Sequence, residues 1–378
     1  LCFIIFLFSQ QLNTSLFSQT LNDSSQIRNI YDYILESSSC YENLRSLCKG
    51  VGHRLSGTKS AQDAVNWAKF KLDNYGFDSV YLQEVTVPHW ERGDVERLDW
   101  IDNNGELHIT KCTALGGSIG TNGTLSGKVI EIKSWEQLKE LGRSEIEGKI
   151  VFLNRPMNPT YVSTFMAYGG CVDQRHGGAS KAAEFGAVGV IVRSMSLKMD
   201  HNPHTGSMGY KDGIVKIPAI AISTNDAHDL SVSLKNNDFE LARMKLSCRS
   251  LEDKLSYNVI AEIKGSEKPD DIILVGGHLD SWDIGEGAHD DGAGVVQSID
   301  VLRSFVNMGI KPKHTLRCVL YMNEENGNRG GKTYAEKVKN EGETHVFALE
   351  SDRGGFSPRG YSIDGSPSQL RKIQSFQK

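Results

Sequence analysis

The chain reads as an α/β protein whose mostly parallel sheet is interrupted by an inserted unit, and three observations predict this. From Tyr257 onward, strand-like runs (YNVIAEI, DIILVGG, TLRCVLYMN, HVFAL) alternate with helical patterning, which implies a largely parallel sheet covered on both faces. Between residues 116 and 250 that rhythm gives way to short apolar strands and glycine turns. Acidic or histidine residues follow directly on three of the strand-like runs, at the carboxyl ends where open parallel sheets bind ligands. At 378 residues the chain is too long for one ordinary domain and suggests about two.

Taken in order, the chain opens on LCFIIFLF, an apolar run followed at once by polar SQQLNTS. It is too short to span a bilayer, which takes roughly 20 apolar residues, and it resembles the hydrophobic stretch of a signal peptide over residues 1–20. With no initiator Met and no basic residue before it, the start of the chain is expected to be missing. A leader implies a secreted or extracellular protein, or one of the lysosome or secretory pathway. It gives meaning to two glycosylation sequons, at Asn22 and Asn122. It also raises the expectation of disulfides among Cys40, Cys48, Cys112, Cys171, Cys248 and Cys318. Six cysteines allow 15 pairings and the sequence does not choose. Cys318, inside an apolar strand, reads instead as a free buried thiol.

Ala61 to Tyr75 places Ala61, Val65, Ala68 and Leu72 on one helical face, ended by Gly76. Val80, Leu82 and Val87 then suggest a strand. GKIVFL, VGVIV and IPAIAIS are short strands of the middle segment, with one clear helix from Gly178 to Phe185. A further helix from about Gly292 to Asn307 carries Val295, Ile299, Leu302 and Val306. The resulting division is a discontinuous domain, 21–115 and 251–378, around an insertion at 116–250. The net charge of -5 and the lack of any basic block argue against nucleic acid as a partner.

The chemistry concentrates between Gly276 and Gly355, in GGHLDSWD, GAHDDGAG, NEENG and ESDRGG. His278, Glu325 and Asp352 follow strands and converge at one rim, and Asp290 joins them from the loop opening a helix. Asp280, Asp290, Glu324, Glu325 and Asp352 put five carboxylates in one cleft. Unit charges about 4 Å apart repel by roughly 4 kcal/mol at an effective dielectric near 20. Divalent cations would neutralise such a cluster, and a His among carboxylates suits zinc rather than magnesium or calcium.

HLDS, DDGAG, NEENG and ESD resemble the motifs of the co-catalytic di-zinc aminopeptidase and carboxypeptidase family. GHRLSGTKSA, VPHWERG, NPHTG and KIPAIAIS extend the resemblance from about residue 25 to the end. It implies a zinc-exopeptidase fold, a protease-associated domain as the insertion, and two zinc ions per chain. His278 and Asp352 resemble ligands of one ion, Asp290 the carboxylate bridging both, and Glu325 a ligand of the other. Glu324 resembles the general base, and Asp280 the acid that orients His278, as ligating histidines usually require. His289 matches no ligand. The family pattern also implies a cis Asp290–Asp291 bond, dipeptide substrates with free ends and a homodimer. It calls for a further ligand, a His well downstream of ESD. No His follows His345, so that ligand and the C-terminal part of the sheet are expected beyond residue 378, with zinc held weakly by residues 1–378 alone.

Three rival readings are weaker. Gly116-Gly-Ser118-Ile-Gly120 fits GxSxG, but a turn follows where the nucleophile elbow needs a helix. A non-catalytic receptor-like relative would not need the metal residues and Glu324 together. A one-zinc glutaminyl cyclase relative is disfavoured by the insertion and by HLDSWD.

Overall fold

The computed structural model describes residues 14–352, 354–357 and 360–374, with side chains from residue 24. The leader expected over 1–20 lies largely outside them, as does the side chain of Asn22; Asn122 is exposed in a turn. The strands in chain order are β1 (Ser79–Glu91), β2 (Glu96–Ile101), β3 (Leu107–Thr110), β4 (Cys112–Ala114), β5 (Leu125–Gly127), β6 (Val129–Ile132) and β7 (Ile150–Leu153). They continue with β8 (Gly189–Arg193), β9 (Ala219–Ile222), β10 (Leu241–Leu246), β11 (Arg249–Ile263), β12 (Lys268–His278), β13 (His314–Tyr321) and β14 (Thr344–Glu350).

The sheet that carries the site has the order β1-β11-β13-β12-β14. It is more mixed than the sequence predicts. β12, β13 and β14 run parallel, whereas β11 is antiparallel to both its neighbours. Only residues 264–267 separate β11 from β12. Parallel strands need a crossover of a dozen residues or more, so the chain must reverse there. The helices that follow do provide crossovers. Ala293–Asn307 carries the chain from β12 to β13, and Arg329–Glu341 carries it from β13 to β14 on the other side of β12. Strand order therefore reverses around β12, which is where a crevice opens at the carboxyl ends.

One face of this sheet is covered by the helices Cys40–Gly50, Lys59–Asp73 and Ala293–Asn307. Leu47, Val65, Ala68 and Leu72 pack with Val259, Val295, Ile299, Leu302 and Leu320. Thr58 caps Lys59–Asp73, its hydroxyl accepting the Ala61 N–H at 3.2 Å. On the other face, Tyr334 of Arg329–Glu341 packs on Ile260, Leu274 and Val319. Ala293–Asn307 lies so close to the strand ends that a Cβ on Gly294 would sit 1.8 Å from the Ser351 carbonyl oxygen, which accounts for the glycine of DDGAG.

Part of the sequence before residue 116 pairs with the strands of the middle segment. β2 pairs with β10, β3 with β2, and β4 with β9, so hydrogen bonding places 96–114 with the middle strands. These strands are three to six residues long, too short for their periodicity to assign them to a sheet. The unit holds two sheets, β3-β2-β10-β5 and β4-β9-β8-β7-β6, closed over Phe152, Ile191, Ile220 and Met244. It docks beside the site. The Arg92 guanidinium donates to both Asp283 oxygens at 2.8 and 2.7 Å and to the Ala114 carbonyl at 2.6 Å. Trp282, in the loop after β12, packs against the same core. A Cβ on Gly116 would meet the Trp282 ring at 1.9 Å. Gly116→Ala is therefore expected to cost about 1–3 kcal/mol, the usual penalty of overpacking, read as a lowered Tm.

The described cysteines, Cys40 to Cys318, are all free, which corrects the expectation of disulfides. Burial pushes the Cys318 thiol far up and Cys112 up to about 12. Cys318 is fully buried, as read from its apolar strand. No helix among the described residues is long and apolar enough to cross a membrane.

Candidate metal centre

His278 is the last residue of β12 and is 1% exposed. Its Nδ1 lies 3.0 Å from the Asp280 carbonyl oxygen. A carbonyl can only accept, so Nδ1 carries the proton and Nε2 faces the cleft. There Nε2 stands 2.9 Å from Asp290 Oδ1 and 3.2 Å from Asp352 Oδ1. Their ligand atoms all lie within 4.8 Å of one another. One nitrogen and two carboxylate oxygens, brought from three elements to a half-open cleft, form a donor set that fits zinc with a position left for water or substrate.

Each of these three side chains is placed by a local device. Asp290 lies in an irregular helical turn, Ala288–Gly292, ahead of Ala293–Asn307, and its bond to Asp291 is cis, as the family pattern implies. Asp291, which the sequence reading left without a role, is fully buried and ties the turn to the strand. Its carboxylate accepts the His278 N–H and the Gly294 N–H, each at 3.0 Å. Asp352 follows β14, where Ser351 N–H donates to the Gly276 carbonyl at 3.0 Å. The doubled aspartate of DDGAG was the signal for Asp291: one acid aims into the cleft and the other anchors the backbone.

Glu324 and Glu325 lie in a turn, since β13 ends at Tyr321. The left-handed φ of 70° at Asn323 swings the chain over the strand ends. The Asp280 carboxylate accepts the Glu324 N–H at 2.9 Å and the Glu325 N–H at 3.2 Å. Its Oδ1 is 3.7 Å from His278 Nδ1. Asp280 therefore orients His278 chiefly through its carbonyl, while its carboxylate holds the glutamate turn. Glu325 is not one of the three clustered ligands, but it lies in the field of Asp290 and Asp280.

The electrostatics are those of an acidic cleft built around one buried histidine. Burial pulls His278 down, but its contacts with Asp280, Asp290 and Asp352 prevail and hold it well above the usual imidazole range. The contact with His278 keeps Asp290 below the usual carboxylate range. Burial, reinforced by neighbouring acids, pushes Glu324 up and Glu325 up to about 9. Burial likewise pushes Asp291 up to about 8. Glu325, Asp291 and His278 bind protons in the folded, metal-free protein that the unfolded chain would release. Stability must then fall as pH rises from the ordinary carboxylate range towards about 9. Asp290, held low, contributes across this whole window and does not reverse the slope. The Tm of chelator-treated protein is expected to drop between about pH 5 and pH 9, and zinc should flatten that dependence.

Other candidates fall away. Ser118 is fully buried, with its hydroxyl donating to the Ile119 carbonyl and accepting the Ala219 N–H, both at 2.9 Å, so it is no nucleophile. His289 is exposed beside Phe356. His314 and His345 sit at the starts of β13 and β14, away from the rim, and His345 contacts the Tyr334 hydroxyl at 2.8 Å. Asp102, Glu106 and His108 form a second group with metal-like spacing. Asp102 there accepts the Asn104 and Glu106 N–H groups at 2.9 Å, the bonding of a β2–β3 turn.

A family model described as "Peptidase family M28" matches residues 258–378. Carboxypeptidase Q of Bos taurus is 35% identical over 344 residues, covering 91% of this chain and 70% of its own. Carboxypeptidase Q of Xenopus laevis is 37% identical, over 86% and 67%. The crystal structure of a peptidase M28 precursor from Shewanella amazonensis SB2B superposes with a TM-score of 0.81 at 39% identity, covering 86% of this chain and 73% of that one. A zinc aminopeptidase from Bacillus subtilis, at 19% identity and a TM-score of 0.59, shares the fold. With this fold, this metal-fitting cleft and these relatives, the chain belongs to peptidase family M28 and is a homologue of carboxypeptidase Q.

Proposed function

We propose that the protein hydrolyses small peptides, chiefly dipeptides with free ends, using two zinc ions per chain. The observation that carries this reading is His278, whose Nδ1 is fixed by Asp280 while its Nε2 meets Asp290 and Asp352 within 3.2 Å. His278 and Asp352 would hold one ion and Glu325 would serve the other, with Asp290 available to both. When bound, zinc supplies a Lewis acid that activates water and polarises the scissile carbonyl. Glu324 takes the proton from the attacking water and returns it to the leaving amine. Burial raises its pKa, the direction that favours a carboxylate taking up a proton and passing it on. Asp280 keeps Glu324 and Glu325 at fixed height by holding both backbone amides.

The inserted unit is read as a protease-associated domain that walls the cleft through Arg92 and Trp282. Secretion, glycosylation at Asn22 and Asn122, and a homodimer complete the proposal. The test is a panel of dipeptides, blocked and unblocked at either end, assayed with and without a chelator. Cleavage of unblocked dipeptides that stops on chelation and returns with zinc is expected. Cleavage indifferent to chelation would refute the metal role, and turnover of end-blocked peptides alone would refute the exopeptidase reading.

A further inference from the structure

Arg54 is the largest fully buried side chain among the described residues, with 0% exposure. Among the described residues it makes no ion pair with a carboxylate; its N–H groups donate to backbone carbonyls instead. Nε reaches Leu279 at 2.8 Å, Nη1 reaches Gly52 at 3.0 Å and Glu286 at 2.7 Å, and Nη2 reaches Gly287 at 2.8 Å. Its own backbone N–H donates to Ser281 Oγ at 3.1 Å, and the Ser281 N–H donates back to its carbonyl. These contacts grip both ends of the loop 279–287. That loop starts one residue after His278 and ends three before Asp290.

Burying a guanidinium without a carboxylate against it is costly, and packing alone would be served by an apolar residue. The charge here lies in the field of Asp280, Asp291 and Glu325. It cannot be lost by deprotonation. The planar fork is also the shape needed to bind several carbonyls at once, which a lysine ammonium cannot copy. Gly287 has a φ of 58°, and a Cβ there would lie 2.7 Å from Arg54 Nη2, so the loop is moulded onto the guanidinium.

We infer that Arg54 is a positioning residue for the metal centre: it fixes the loop that sets the distance between His278 and Asp290, and lends a permanent positive charge to the acidic cleft. The inference rests on the metal-centre reading above.

The test is zinc affinity, measured by competition with a chromogenic chelator on folded protein, with Tm recorded alongside. Arg54→Met should weaken zinc binding about 10–100-fold, the range for residues that orient metal ligands. Arg54→Lys, which keeps the charge but not the fork, should fall between Arg54→Met and wild type. If both variants lose Tm yet bind zinc as wild type does, the role is structural and the inference is overturned. If neither variant is soluble, Ser281→Ala decides. It removes one tie between loop and arginine while keeping the guanidinium; a measurable loss of zinc affinity supports the inference and an unchanged affinity overturns it. A wild-type protein that binds no zinc would overturn the metal-centre reading and this inference together. Equal binding by wild type and variants overturns this one alone.

Discussion

Replacing Glu324 by Gln should cut turnover about 10²–10⁴-fold while leaving zinc in place, because an amide occupies the same volume but cannot take a proton. The geometry makes this a clean substitution. The Glu324 backbone is held by the Asp280 carboxylate through its N–H, not through the side chain, so the turn should survive. The measurement is kcat on a cleaved dipeptide with zinc content determined on the same sample. A variant with wild-type kcat would remove Glu324 from the role of base.

His278→Ala should lower turnover about 10²–10³-fold, of the order seen when a main electrostatic contributor to the transition state is removed, and unlike Glu324→Gln it should also cost metal. One zinc ion fewer should be retained per chain. His278 gives the cluster its single nitrogen, and the other two members are carboxylates. Without the imidazole, Asp290 and Asp352 share the site with no positive partner between them. Elemental analysis after dialysis, paired with the same dipeptide assay, checks both effects. Undiminished zinc with undiminished activity would show that the metal lies elsewhere.

The helices and site strands were legible in the sequence because their apolar faces are long. Ala61, Val65, Ala68 and Leu72 are all buried, as are Val295, Ile299 and Leu302. The carboxyl-end rule led to the expectation of His278, Glu325 and Asp352 at one rim with no knowledge of topology. β1 forms where Val80, Leu82 and Val87 suggested a strand, but its faces were not legible: Leu82 is exposed and Gln83 faces inward, where it accepts a hydrogen bond from the Asn258 amide at 2.9 Å. Strand direction was obscured because parallel and antiparallel partners depend on loop length, not on apolar content. Arg54 and Asp291 were missed for a different reason. A buried charge that bonds to backbone leaves no periodic trace in the sequence. The Asn323 φ that lifts the glutamates off the strand is likewise invisible in composition.

The central claim is that the cleft bounded by His278, Asp290, Glu325 and Asp352 is a zinc centre. The most direct measurement is an anomalous-scattering map of crystals of the zinc-loaded protein, collected on either side of the zinc absorption edge. The account predicts one peak about 2.0–2.2 Å from His278 Nε2 and from carboxylate oxygens of Asp290 and Asp352. It predicts a second peak between Asp290 and Glu325. Zinc-loaded crystals with no peak within bonding distance of His278 Nε2 would contradict it.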